Sequence, residues 1–113
     1  MKRLARDPES LLPLKHATFQ VLLALGDDSM HGYAIMQAIA AMTDGRETIL
    51  PGTLYAALAR MVDDTLVEEK NGAEESGGPQ RRYYRRTTFG RAVARAESER
   101  LRALLNVARA QKI

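Results

Sequence analysis

The sequence predicts a mostly α-helical protein with one small β-hairpin and a long carboxy-terminal helix, and three observations lead there. Behind Pro51, Leu54, Leu58, Met61 and Val62 recur at i, i+4, i+7 and i+8, the spacing of one buried helix face. Leu66–Lys70 and Arg81–Thr88 are two strand-like runs on either side of NGAEESGGPQ, a loop rich in glycine and poor in apolar residues. From Thr88 to about Ala110 no Gly or Pro interrupts a helical pattern after Gly90.

A chain of 113 residues holds one domain with a modest core, plus an element too long for that core to cover. With no Cys and two His, disulfides and thiolate chemistry are excluded, and a structural zinc site is not expected. The longest apolar runs, such as Val21–Leu25, fall far short of a membrane span, and no signal-peptide core is present, so a cytoplasmic protein with no membrane partner is expected. Residues 81–113 carry ten Lys or Arg against Glu97 and Glu99, whereas residues 1–80 carry seven basic against twelve acidic side chains. That asymmetry suits a polyanionic partner such as nucleic acid, or an acidic protein surface.

Residues 1–13 have mixed charge and two prolines and read as an arm without a motif. A first helix over Leu14–Leu25 is predicted by Leu14, Thr18, Val21, Leu22 and Leu25, with Pro13 suiting its start. Phe19 and Leu23 widen its apolar arc enough to suggest a second contact surface, such as another subunit, while Lys15, His16 and Gln20 make up its polar side. Gly26–Ser29 is a turn in which Asp28 or Ser29 can cap a second helix over about Met30–Met42. Its buried side is Ala34, Ile35, Ala38, Ile39 and Met42. Gly32 in its first turn costs roughly 1 kcal/mol in propensity, which suggests close packing or close approach to the backbone. His31 and Tyr33 flank that glycine at a helix start, where free N–H groups favour an anion such as phosphate.

Thr43–Thr48 is a polar link with Gly45 at a C-cap, and Thr48–Leu50 suits a very short strand or a plug at the core edge. In the third helix the outward side, Thr53, Tyr55, Ala56, Ala59 and Arg60, carries no acidic residue before Asp63. RRYYRRTT, with four arginines in eight residues, makes the return strand strongly basic. A charged edge that resists aggregation explains one or two of these arginines, and phosphate contact explains four better. Thr87 or Thr88 can cap the last helix, whose apolar side is Val93, Ala96, Leu101, Leu104, Leu105 and Ala108, with Glu97, Glu99, Arg100 and Arg102 on the polar remainder. At about 30 Å it is too long for three short helices to cover, so part of its stripe is expected to meet a second subunit.

Helices two and three followed by a hairpin make a winged helix-turn-helix, in which the third helix enters the major groove and the wing reaches neighbouring phosphates. The domains are then an arm (1–13), a winged helix-turn-helix (14–87) and a dimerisation helix (88–113). Three separated motifs, HGYAI at His31–Ile35, PGTLYAALARM at Pro51–Met61 with the following LVEE, and RRYYRRTTFGR at Arg81–Arg91, resemble the PadR family of winged-helix transcriptional regulators in its short form. The resemblance covers nearly the whole chain from Leu14 onward. It implies a homodimeric repressor that binds double-stranded DNA, and leaves room for a small-molecule effector, but no cofactor.

By position, Tyr33 and Tyr55 resemble the family's two tyrosines at the helix-turn-helix, Arg82 and Arg85 its basic wing residues, and Thr87 and Gly90 its threonine-x-x-glycine helix start. The candidate DNA contacts are therefore His31, Tyr33, Thr53, Tyr55, Arg60, Arg81, Arg82 and Arg85. The candidate dimer contacts are Leu22, Val93, Leu101, Leu104, Leu105 and Ala108. Three departures from the family pattern stand out. Thr65 replaces the usual glycine before the first wing strand, so a left-handed turn there must be strained or replaced. Arg86 replaces a hydrophobic residue, and Glu74 and Glu75 at the wing tip shift phosphate contact to the strand arginines. With no Trp, and only Phe19 and Phe89 as phenylalanines, an aromatic-lined effector pocket is not expected. The competing reading is a winged-helix interaction module or accessory subunit that binds an acidic partner. No paired carboxylates, nucleophile constellation or phosphate-binding glycine loop supports an enzyme.

Overall fold

The computed structural model describes residues 6–71 and 82–113. The expectations for residues 1–5, the wing tip and Arg81 lie outside them. The chain runs through a 3-10 turn (Pro8–Leu11), α1 (His16–Leu25), β1 (Ser29–His31), α2 (Gly32–Met42), α3 (Pro51–Asp63), β2 (Val67–Asn71), β3 (Arg82–Arg86) and α4 (Thr88–Ala110). The expected hairpin is present as β2 against β3, and a strand not expected, β1, pairs antiparallel with the other edge of β3 to give the order β1-β3-β2. Thr48–Leu50 forms no strand; Ile49 alone plugs the core edge there.

The core lies between α1, α2, α3, the sheet and the first half of α4. Leu22, Leu25, Ile35, Ile39, Leu54, Leu58, Met61 and Val93 are buried within it. Each fully buried aliphatic side chain contributes roughly 1.5–3 kcal/mol. Two expected dimer contacts are corrected here: Leu22 and Val93 have no exposed surface, because both point into the chain's own core. Met42, expected inside, is exposed, since α2 passes beyond the core in its last turn.

Helix α1 starts two residues later than expected, and Glu97 explains why. This carboxylate, expected on the polar side of α4, is 3% exposed. It accepts from Arg100 Nε at 2.7 Å and Arg100 Nη2 at 2.8 Å, and from the Leu14 backbone N–H. Leu14 is thereby tied to α4 while Lys15 stays extended as the N-cap of α1. Gln20, also expected outside, is buried and donates to Glu47 Oε1, which His16 Nε2 meets as well.

Two helix ends explain the turns that follow them. At α2 the Asp44 N–H bonds to Ala41 and the Gly45 N–H to Ala40, with φ of +53° and +76° at these residues. That is a Schellman closure, and its left-handed C′ residue is Asp44. At α3 the Thr65 N–H bonds to Val62 and the Leu66 N–H to Met61, the same closure, with Thr65 at φ +59°. The left-handed turn is thus kept with a β-branched residue in it, a conformation that costs on the order of 1–3 kcal/mol. Arg6 braces it, its guanidinium donating to the Asp64 carbonyl and to Thr65 Oγ1 and lying over the Phe89 ring.

Thr65→Gly is expected to raise stability by about 1 kcal/mol, the released strain exceeding the added chain entropy and the lost hydroxyl contact; urea denaturation measures it, and a lower midpoint would contradict the strain. A second expectation concerns acid. The Arg100 hydrogen bonds, against burial and with help from Leu14, hold Glu97 below the usual carboxylate range. A carboxyl lowered in the folded state stabilises fully above its unfolded value of about 4.3 and loses that contribution as pH falls through the lower folded value. Glu97→Gln should therefore cost about 1–3 kcal/mol at pH 7, with the gap to wild type closing in acid; a gap independent of pH would refute the assignment.

Candidate nucleic-acid interface

The exposed side of α3 is built by the same periodicity that buries Leu54, Leu58 and Met61. Thr53, Tyr55, Ala56, Ala59 and Arg60 all remain exposed. Leu50 caps the helix without a side-chain bond and Pro51 follows it, so the amides of the first turn point outward without a side-chain cap.

The start of α2 lies against this helix. A Cβ on Gly32 would sit 2.2 Å from Tyr55 Oη and 2.7 Å from Cζ, so the glycine expected to permit a close approach does so for the Tyr55 ring. His31 is the N-cap of α2: its Nδ1 accepts the Ala34 N–H at 3.2 Å, and its ring stands edge-on to Tyr83 at 5.5 Å. Asp28 and Ser29, expected as caps, lie in or before β1 instead.

Four of the eight expected contact residues converge. His31, Tyr33, Tyr55 and Arg82 line one cleft of about 320 Å³, with Gly32 at its floor. Tyr33 and Tyr55 are 61% and 48% exposed, so both phenols are open to a ligand. Thr53 is exposed at the start of α3. Arg60 sits towards the other end of α3 and borders a separate hollow with Lys15 and Asp64. Arg85 lines a third hollow with Glu68 and Thr87. Arg81 lies outside the described residues.

The wing is less cationic than its sequence suggests. Arg86, four-fifths buried or more, does not turn outward: Nη1 donates to the Leu22 carbonyl at 3.2 Å and Nη2 meets Asp27 Oδ1 at 3.2 Å. Asp27 is shared with Arg91, so this arginine holds the α1–β1 turn against the start of α4 rather than facing a ligand. Arg82 Nε lies 3.3 Å from Glu69 Oε2. It also bonds the buried Tyr84 phenol, which burial and the Glu69 charge push up and Arg82 pulls down. Sequence reasoning missed these pairings, although the β2–β3 register that an alternating hairpin implies would have set Glu68 opposite Arg85.

The pattern of the transcriptional regulator PadR-like family matches residues 21–96, which span α1 to the first half of α4. The chain belongs to this family. Its members are DNA-binding transcriptional regulators, not enzymes. An uncharacterized protein X of Lysinibacillus sphaericus is 32% identical over 77 residues, covering 68% of this chain and 70% of that one. A PadR family transcription regulator of Clostridium difficile R20291 is similar at 25% identity with a TM-score of 0.71, over 88% of this chain and 100% of that chain. The PadR of Bacillus subtilis, solved in complex with operator DNA, shares the fold with a TM-score of 0.63 at 15% identity, over 79% of this chain and 48% of that chain. Among the described residues no metal-binding cluster occurs, and no helix is long and apolar enough to cross a membrane.

The two tight glycines of this PadR chain should respond differently to an added methyl. At Gly32 the obstacle is the end of an exposed tyrosine ring, whereas at Gly90 a Cβ would lie 2.0 Å from the Leu66 backbone oxygen. Gly32→Ala is expected to cost under about 1 kcal/mol, because the ring swings away and helix propensity improves. Gly90→Ala should cost about 1–3 kcal/mol or more, because backbone must move. Equal losses in chemical denaturation would contradict the packing described.

Proposed function

We propose that the chain is a homodimeric, sequence-specific DNA-binding repressor, with Thr53 and Arg60 of α3 facing the major groove and His31, Tyr33, Tyr55, Arg82 and Arg85 contacting backbone phosphate. The observation that carries this reading is the side of α3 that is exposed and free of acid from Pro51 to Val62, next to a cleft where two tyrosines, a histidine and an arginine meet at a helix start. Hydroxyl, imidazole and guanidinium donors around free amides suit a phosphate, and small residues on α3 let its backbone approach base edges. Arg81, which lies outside the described residues, is kept as a candidate phosphate contact from the sequence alone.

The second copy is supported by the far half of α4. Leu101, Leu104, Leu105 and Val107 are 39–56% exposed, and Ala108 lies among them on a 23-residue helix whose first half alone meets the core. Leaving that stripe in water would be unfavourable, and the same stripe on a second chain covers it with two-fold symmetry. Two such units present two third helices to the half-sites of a palindrome. An effector, if this regulator uses one, has room in a groove of about 910 Å³ between the 3-10 turn and α4, bordered by Leu12, Ala92, Ala96 and Arg95.

Fluorescence-anisotropy titration of the protein's own upstream DNA is expected to give saturable binding that weakens steeply with salt, at a stoichiometry of two chains per site. Arg85→Ala should weaken binding to all sequences, Thr53→Ala should alter sequence preference, and Gly32→Ala should weaken binding roughly tenfold through the displaced Tyr55. Equal affinity for random duplex at every salt concentration would refute specificity, and a monomer on the DNA would refute the dimer.

A further inference from the structure

The antiparallel register of β2 and β3 sets Glu68 opposite Arg85 and Glu69 opposite Tyr84. Residues directly opposed on such strands share a face with their Cβ atoms about 5 Å apart. Glu68 therefore stands beside Arg85, Glu69 reaches diagonally to Arg82 at 3.3 Å, and Arg86 is drawn inward to Asp27. Among the described residues, Arg82 and Arg86 each meet a carboxylate of their own chain, and Arg85 stands opposite Glu68 in the strand register. Glu68, Glu69 and Lys70 against Arg82, Arg85 and Arg86 leave the paired strands at +2, and Asp27 lowers this to +1.

We propose that Glu68 and Glu69 act as an intramolecular competitor for DNA phosphate, holding down the wing's sequence-independent affinity so that discrimination falls to α3. This rests on the DNA-binding reading of the wing. The Arg82–Glu69 pair has side chains 72% and 35% exposed, and a pair so open to water contributes little to folding. Its effect appears when a phosphate approaches Arg82, because the carboxylate must then give up the guanidinium or share it while repelling the phosphate a few ångströms away. Glu68 imposes the same competition on Arg85 from the other face of the sheet. Electrostatic attraction to phosphate is common to all sequences, so weakening it lowers binding to random DNA and leaves base-edge contacts to separate operator from genome.

The test compares wild type, Glu68→Gln/Glu69→Gln, the same double variant carrying Arg82→Ala, and Glu99→Gln as a control for removing a distant charge. Each is titrated against a random duplex and against upstream DNA at about 50 and 200 mM salt, the range over which phosphate contacts are most visible. The double variant is expected to bind random duplex roughly tenfold tighter at low salt, with a steeper salt dependence and a smaller ratio of specific to non-specific affinity. Arg82→Ala should remove much of that gain, and Glu99→Gln should change affinity less than about twofold. Unchanged or weaker binding by the double variant, or an equal gain from Glu99→Gln, would overturn the competitor role. Absence of duplex binding by every protein, wild type included, would overturn the DNA reading itself and the competitor role with it.

Discussion

The Leu66 carbonyl is the point on which the remaining geometry depends. It accepts the Thr87 N–H at 3.1 Å and lies 3.2 Å from Thr87 Oγ1, whose hydroxyl also donates to the Thr65 carbonyl at 2.6 Å. Thr87 in turn caps α4 by accepting the Gly90 N–H at 2.9 Å, and Gly90 lacks a Cβ where one would strike Leu66. One residue earlier, the left-handed Thr65 ends α3. The end of α3, the start of β2 and the start of α4 are thus joined within three residues of chain on either side. A side chain at Gly90, or a different turn at Thr65, would rotate the wing and the long helix relative to α3 together.

That junction makes the wing and α3 act as one surface, whose charges are arranged with restraint. Arg86 is consumed internally by Asp27 and the Leu22 carbonyl, so a residue that stands where the family usually has a hydrophobic side chain still serves the wing base, through bonds instead of packing. Arg82 is held by Glu69 and Tyr84 at the mouth of the cleft that Tyr33, Tyr55 and His31 line. On the proposed reading, an interface of this kind would draw modest affinity from phosphate and depend on what α3 meets in the groove. Dimerisation through α4 would then supply the rest by placing two such surfaces on one duplex.

Much of this was legible in the sequence because periodicity reports burial directly. The inward stripe of α3, its exposed side and the hairpin follow from spacing alone, whereas spacing left Thr87 and Thr88 open as the cap and the family resemblance selected Thr87. Gly32 announced a close approach without naming Tyr55, since the partner lies 23 residues away and no local pattern links them. β1 was not legible: three residues, Ser29–His31, are too few to alternate visibly, and they are strand only because β3 offers them an edge. Leu22 and Val93 read as contact residues because apolar spacing does not tell a core from a subunit face. Glu97 read as surface because its type is polar, although its place at i+4 from Val93, with Arg100 one turn on, marks the buried face and a partner for the charge. Arg60 and Arg85 share the right elements with the cleft residues but not the same hollow, a distinction that depends on where α1 and Glu68 lie.

The central claim, that α3 and the wing form the nucleic-acid surface while the outer half of α4 does not, is tested most directly by amide chemical-shift mapping of the labelled protein titrated with its upstream duplex. The largest perturbations are expected at residues 31–33, 52–60 and 82–85, with residues 101–108 changing little. Perturbations concentrated along 101–108, with 52–60 unmoved at saturation, would contradict it.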